Sequence, residues 1–142
     1  MLKQTGIEQD SLTESIESGG QQLAIIVYAD KCPRQTEFLT PEDLPQQVGF
    51  IVYPQGASIP RHVHRSVERR IAGTPEVLVV RRGRLQADFF TDEKDYVTSR
   101  ILNVHDVLIL TGGGHGFTCM EDTVLLEVKQ GPYIGPEEKE RF

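Results

Sequence analysis

The side chains that could do chemistry are three histidines and two glutamates in the middle of the chain. His62 and His64 stand two apart in a segment that reads as a strand, Arg61 to Arg65, so both imidazoles leave the same face. Neutral imidazole is the commonest side-chain metal ligand, and two from one strand face can reach a single ion. Glu76 opens the run Glu76-Val77-Leu78-Val79-Val80 and shares a face with Leu78 and Val80. A carboxylate on an apolar face requires a partner, because burying it bare is costly. His115 follows three glycines and shares its own face with Phe117 and Cys119. Glycines there let the backbone bend sharply, at an entropic cost that a purposeful turn justifies. Glu68 is a second acid close to the histidine pair. The fourth histidine, His105, precedes Asp106 in a turn and is expected at the surface.

Residues 61 to 84 hold seven arginines against two acids, although the chain as a whole has a net charge of −6. A basic rim of this kind would draw in an anionic small molecule, since the guanidinium fork matches carboxylate and phosphate. At roughly 3.3 Å per strand residue, Arg81 lies too far from Glu76 to share a ligand-sized pocket. That leaves Arg61, Arg65, Arg69 and Arg70 as the candidates.

The elements that must position these groups read as strands. Val and Ile outnumber Leu and Ala, a balance that suits a pleated surface. Strands are predicted at Gln22 to Ala29, Val48 to Tyr53, Arg61 to Arg65, Glu76 to Arg81, Arg84 to Phe90, Tyr96 to Leu102, Val107 to Leu110, His115 to Cys119 and Thr123 to Lys129. Arg82-Gly83 reads as a hairpin turn. Many short strands with turn signals between them imply an all-β sandwich or barrel. Helix is expected only at Ile7 to Glu17, short or frayed, and as a turn after Thr40-Pro41. The strand Leu23 to Ala29 is apolar on both faces, and at a sheet edge it would pair with a second copy to make a homodimer.

Composition excludes several classes. The chain has 142 residues, 38% hydrophobic and 25% charged, which is one globular domain rather than a disordered segment. An acidic balance argues against a nucleic-acid partner. No apolar run approaches a membrane span, and no signal-peptide pattern opens the sequence, so no membrane partner and a cytoplasmic location are expected. Two cysteines, Cys32 and Cys119, make neither a disulfide scaffold nor a zinc knuckle.

These motifs carry a resemblance. Gly56, five residues, His62-Val63-His64, later Glu76, six residues and Gly83 resemble the first cupin motif, Gly-x5-His-x-His-x3,4-Glu-x6-Gly. His105 to His115 is similar to the second, Gly-x5-Pro-x-Gly-x2-His-x3-Asn. Within the superfamily the chain looks like the single-domain bacterial cupins ending in a Lys-Gln-Gly-Pro-Tyr segment, here Lys129 to Tyr133. The resemblance implies one domain, an antiparallel jelly-roll barrel (double-stranded β-helix) with little helix and a core at about 48–130. It also implies a divalent transition metal held by His62, His64, Glu76 and His115. The sequence departs from the pattern in places: eleven residues separate His64 from Glu76, where the motif has three or four. Either the loop is enlarged and Glu76 is the ligand, or Glu68 replaces it; the intact Glu-x6-Gly hairpin favours Glu76. Leu110 stands for the proline, Val104 for the leading glycine and Cys119 for the asparagine.

Three imidazoles and a carboxylate suit Fe, Mn, Ni, Zn or Cu, and an octahedral ion would keep two open positions. Such a site supports an enzyme of oxygenase or isomerase type on a small anionic or carbohydrate-derived molecule. In that reading Arg70 or Arg61 orients the substrate, Glu68 acts as base, and Tyr53 or Tyr133 donates a proton. The alternatives are a non-catalytic binding or sensor module, and a metal-free sugar-nucleotide isomerase or epimerase with a histidine base.

Overall fold

The computed structural model describes residues 12–142. Its first element is a hairpin: β1 (Thr13–Ser18) turns through Gly19-Gly20 into β2 (Gln21–Val27). Both glycines have positive φ, 57° and 80°, the conformation that two-residue hairpin loops demand. A strand therefore occupies Thr13 to Ser18, where a helix is expected from the sequence; residues 7–11 of that expectation lie outside the described residues. Only Ile16 of this strand is fully buried, and cross-strand pairing rather than an apolar stripe holds it.

The further strands are β3 (Glu37–Phe38), β4 (Gly49–Phe50), β5 (Glu76–Arg82), β6 (Leu85–Phe90), β7 (Tyr96–Leu102), β8 (Val107–Leu110), β9 (Gly114–Cys119) and β10 (Val124–Lys129). All pairs are antiparallel. One sheet runs β1-β2-β8-β5-β10, a second runs β7-β6-β9, and β3 pairs with β4 alone. The fold is all-β, and no α-helix occurs among the described residues. After Thr40-Pro41 the chain makes one turn, Leu44 N donating to Pro41 O at 3.1 Å, and does not continue as a helix.

Period-two alternation places the core. From the large sheet Ile16, Ala24, Ile26, Leu78, Val80 and Leu108 meet Leu85, Ala87, Phe89 and Leu102 of the small one. The large sheet's other face, with Ile25, Val27, Val77 and Ile109, is covered by Leu39, Val48 and Phe50 around the β3–β4 pair. Double coverage explains why β2 is apolar on both faces. It lies between β1 and β8, not at an edge, so the edge-strand premise for a dimer at Leu23 to Ala29 is corrected.

Asp106 fixes the turn before β8. Its two carboxylate oxygens accept from Ala29 N at 2.8 Å and Asn103 N at 2.7 Å, which lets a charged group be buried there. His105 sits in this turn with φ 74° and is exposed, as expected from the sequence.

The largest departure from the expected strands is the segment between β4 and β5. The strand expected from Val48 to Tyr53 shrinks to Gly49–Phe50, and none forms at Arg61 to Arg65. Every residue from Tyr53 to Arg70 is exposed. The pattern of a strand is present, but among the described residues no neighbouring strand supplies the other half of the ladder.

Candidate active site

Glu76 is the first residue of β5, opposite Leu110 of β8 and Lys129 of β10. Parity with Leu78 and Val80 turns it toward the space between the sheets, where it is only 6% exposed. His115 enters from the other sheet, on β9 opposite Phe89 of β6. Its Nε2 lies 3.4 Å from Oε2 of Glu76. The glycines before it are needed: Gly113 has φ 64°, and a Cβ there would stand 2.2 Å from the Phe90 carbonyl oxygen. The tight turn thus aims β9 so that the imidazole meets the carboxylate.

The pair forms part of the wall of a cavity of about 850 Å³, within the range of small-molecule sites. A second hollow of about 410 Å³ shares Glu76 and His115, so the two side chains stand where both meet. Phe117, on the face of His115 and 5.5 Å from it between ring centroids, supplies apolar wall. Residues 138–142 form another wall of the cavity. Phe142 is seated edge-on against Phe90 at 5.1 Å and lies over Gly114, whose missing side chain makes the room. Lys94 holds this segment through Glu140 and lies 5.8 Å from the Phe142 ring centroid.

Burial pushes the Glu76 carboxyl above the usual carboxylate range. A hydrogen bond with Glu127, and repulsion from it, push the same way, while Lys139 and Lys129 oppose. Burial also holds the His115 imidazole below its ordinary value, helped by Lys139 and opposed by Glu127. Both shifts favour the uncharged forms, so the imidazole and the carboxyl group are each drawn away from charge where they meet.

The structure thus brings together Glu76 and His115 of the expected set. It leaves His62, His64, Glu68 and Arg70 on the exposed segment, and Tyr53 exposed at its start. His62 and His64 do project together, with ring centroids 5.3 Å apart. His62 Nδ1 lies 2.9 Å from Pro60 O, a contact that turns Nε2 outward as the nitrogen placed to ligate. Arg61, Arg65 and Arg69 share the exposed segment, and Tyr133 is exposed beyond β10. Among the described residues of one chain, no three His, Cys, Asp or Glu side chains are grouped to hold a metal ion. Known proteins add no label to this geometry. The chain matches no family model, no curated protein and no solved structure.

Sequence reasoning passed over Glu127 and Lys139. Glu127 has a signal: it interrupts the apolar run of β10 on the parity of Leu125, which packs against the core. Lys139 has none, because it arrives in a segment without periodicity. No helix of the described residues is long and apolar enough to cross a membrane.

Proposed function

We propose that the chain is a metal-binding cupin of jelly-roll type, acting on a small anionic or carbohydrate-derived molecule by oxygenase or isomerase chemistry. One observation carries the reading: a buried glutamate and a histidine, from strands of different sheets, meet at 3.4 Å in the wall of a cavity. They are the last two members of the ligand set that the motif resemblance implies. In this reading Glu76 and His115 hold the metal from the cavity wall, and His62 and His64 complete the set. A divalent transition metal bound there would polarise a carbonyl, or hold substrate and dioxygen side by side.

The chain's own residues have the remaining work. Phe117 and Phe90 give the cavity apolar walls that hold a substrate and exclude water. Lys139 and Arg141 offer cations to an anionic group. Asp88, oriented by Gln86 and Ser99, and Glu127 offer acceptors to hydroxyl groups.

A second reading, metal-free isomerisation, is favoured by the 3.4 Å approach of Glu76 and His115, because a carboxyl group that burial holds above its usual range, beside an imidazole that burial holds below its own, is suited to acid–base work. Metal analysis of protein purified without chelator separates them. The first reading expects about one transition-metal ion per chain. Metal-free protein would reject it and leave the acid–base reading standing.

A further inference from the structure

We infer that the metal site is completed in trans: the segment 53–70 of one copy lies along a second copy and delivers His62 and His64 to that copy's Glu76 and His115. The inference rests on the metal-site reading above.

The first observation is a strand pattern without a strand partner. Over 59–69 the odd positions alternate Ile59, Arg61, Val63, Arg65, Val67 and Arg69, while His62 and His64 share the opposite face. The three apolar side chains are 56%, 88% and 59% exposed. Among the described residues, no backbone–backbone hydrogen bond involves residues 58–74. Through eighteen consecutive exposed residues, Tyr53 to Arg70, the ladder groups face water and the apolar side chains have nothing to pack against within the described residues.

The second observation is a sheet edge beside the site that no strand covers among the described residues. β9, which carries His115, ends its sheet in the order β7-β6-β9. A strand added there lies about 4.8 Å away, and same-face side chains opposite each other stand roughly 5 Å apart at Cβ. That spacing brings two imidazoles of the added strand within reach of an ion held by His115 and Glu76. Edge strands of this kind are ready templates for another chain.

Charge favours the same occupant. The segment presents Arg61, Arg65, Arg69 and Arg70 against Glu68 alone, and the cavity rim presents Asp88, Glu127, Glu138 and Glu140 against Lys139 and Arg141. A second copy supplies both sides of this match, and a two-fold exchange makes two equal sites.

Complementation decides it. A chain carrying His62→Ala and His64→Ala is co-expressed with one carrying Glu76→Gln and His115→Ala, and zinc alone is titrated after chelation. Each doubly substituted chain by itself should bind no zinc at the site. With free mixing, half the dimers are mixed and each has one intact site, so the mixture should bind about one quarter of the wild-type zinc per chain. A mixture as empty as its parents, with wild type loaded, overturns completion in trans and leaves the metal reading intact. A wild type that binds no zinc overturns the metal reading itself. Segment exchange is tested without metal by sedimentation: wild type should run as a dimer of the 16.0 kDa chain. Ile59→Asp, Val63→Asp and Val67→Asp together should make it a monomer with unchanged circular dichroism. A monomeric wild type, or a substituted chain still dimeric, overturns the exchange.

Discussion

Glu14 on β1 and Arg100 on β7 close a two-pronged ion pair between the sheets, with Nε to Oε1 at 2.7 Å and Nη2 to Oε2 at 3.3 Å. β1 and β7 are the outer strands of their sheets on one side. The outer strands on the other side, β10 and β9, carry Glu127 and His115 into the cavity wall. The sandwich is therefore pinned along one seam and hollow along the other. That asymmetry puts the chemistry where the sheets part.

The seam makes stability depend on pH. The Arg100 hydrogen bond, more than its charge, holds the Glu14 carboxyl below its ordinary value, against an opposing effect of burial. A depressed carboxylate stabilises the fold above its unfolded value, and the contribution is lost as pH falls through the lower folded value. Glu14→Gln should cost about 1 kcal/mol or less at pH 7, since a third of each side chain is in water. Urea denaturation across the acid range should show the difference from wild type shrinking below the usual glutamate range.

The turn before His115 sets a second expectation. Gly113→Ala puts a methyl group into the Phe90 backbone at positive φ, and backbone cannot yield as a side-chain end can. It should lose about 2 kcal/mol or more in denaturant titration. Gly114→Ala meets only the rim of the Phe142 ring, at 3.2 Å, and should lose far less. Equal losses would mean that the turn does not impose the constraint described.

The Asp106 carboxylate accepts from two backbone N–H groups at once, those of Ala29 and Asn103. Asp106→Ala removes both hydrogen bonds and should cost about 1–2 kcal/mol by thermal or chemical unfolding. A loss within experimental error would show that water replaces the carboxylate there.

Much of this fold was legible beforehand, for a physical reason. Tyr96–Leu102 and Val107–Leu110 match their expected bounds because turn residues flank both. β1 departs from the helix expected there because its polar residues carry no period strong enough to overrule helix-compatible glutamates, and the Gly19-Gly20 turn closes it into a hairpin. In the site, Glu76 was legible as an acid on an apolar face, and His115 as the end of a glycine turn. His62 and His64 were legible as a same-face pair, but alternation tells only which way side chains point. It does not tell which strand will lie beside them, so their distance from Glu76 could not be read.

The central claim is that His62, His64, Glu76 and His115 are one metal site, and metal quantification of the full chain tests it most directly. Protein purified without chelator should carry about one divalent transition-metal ion per chain. His62→Ala with His64→Ala should remove it while circular dichroism keeps its β-sheet signal, since both side chains lie on the exposed segment, away from the core. Wild-type protein free of metal, or a double variant that keeps its full complement, would contradict the account.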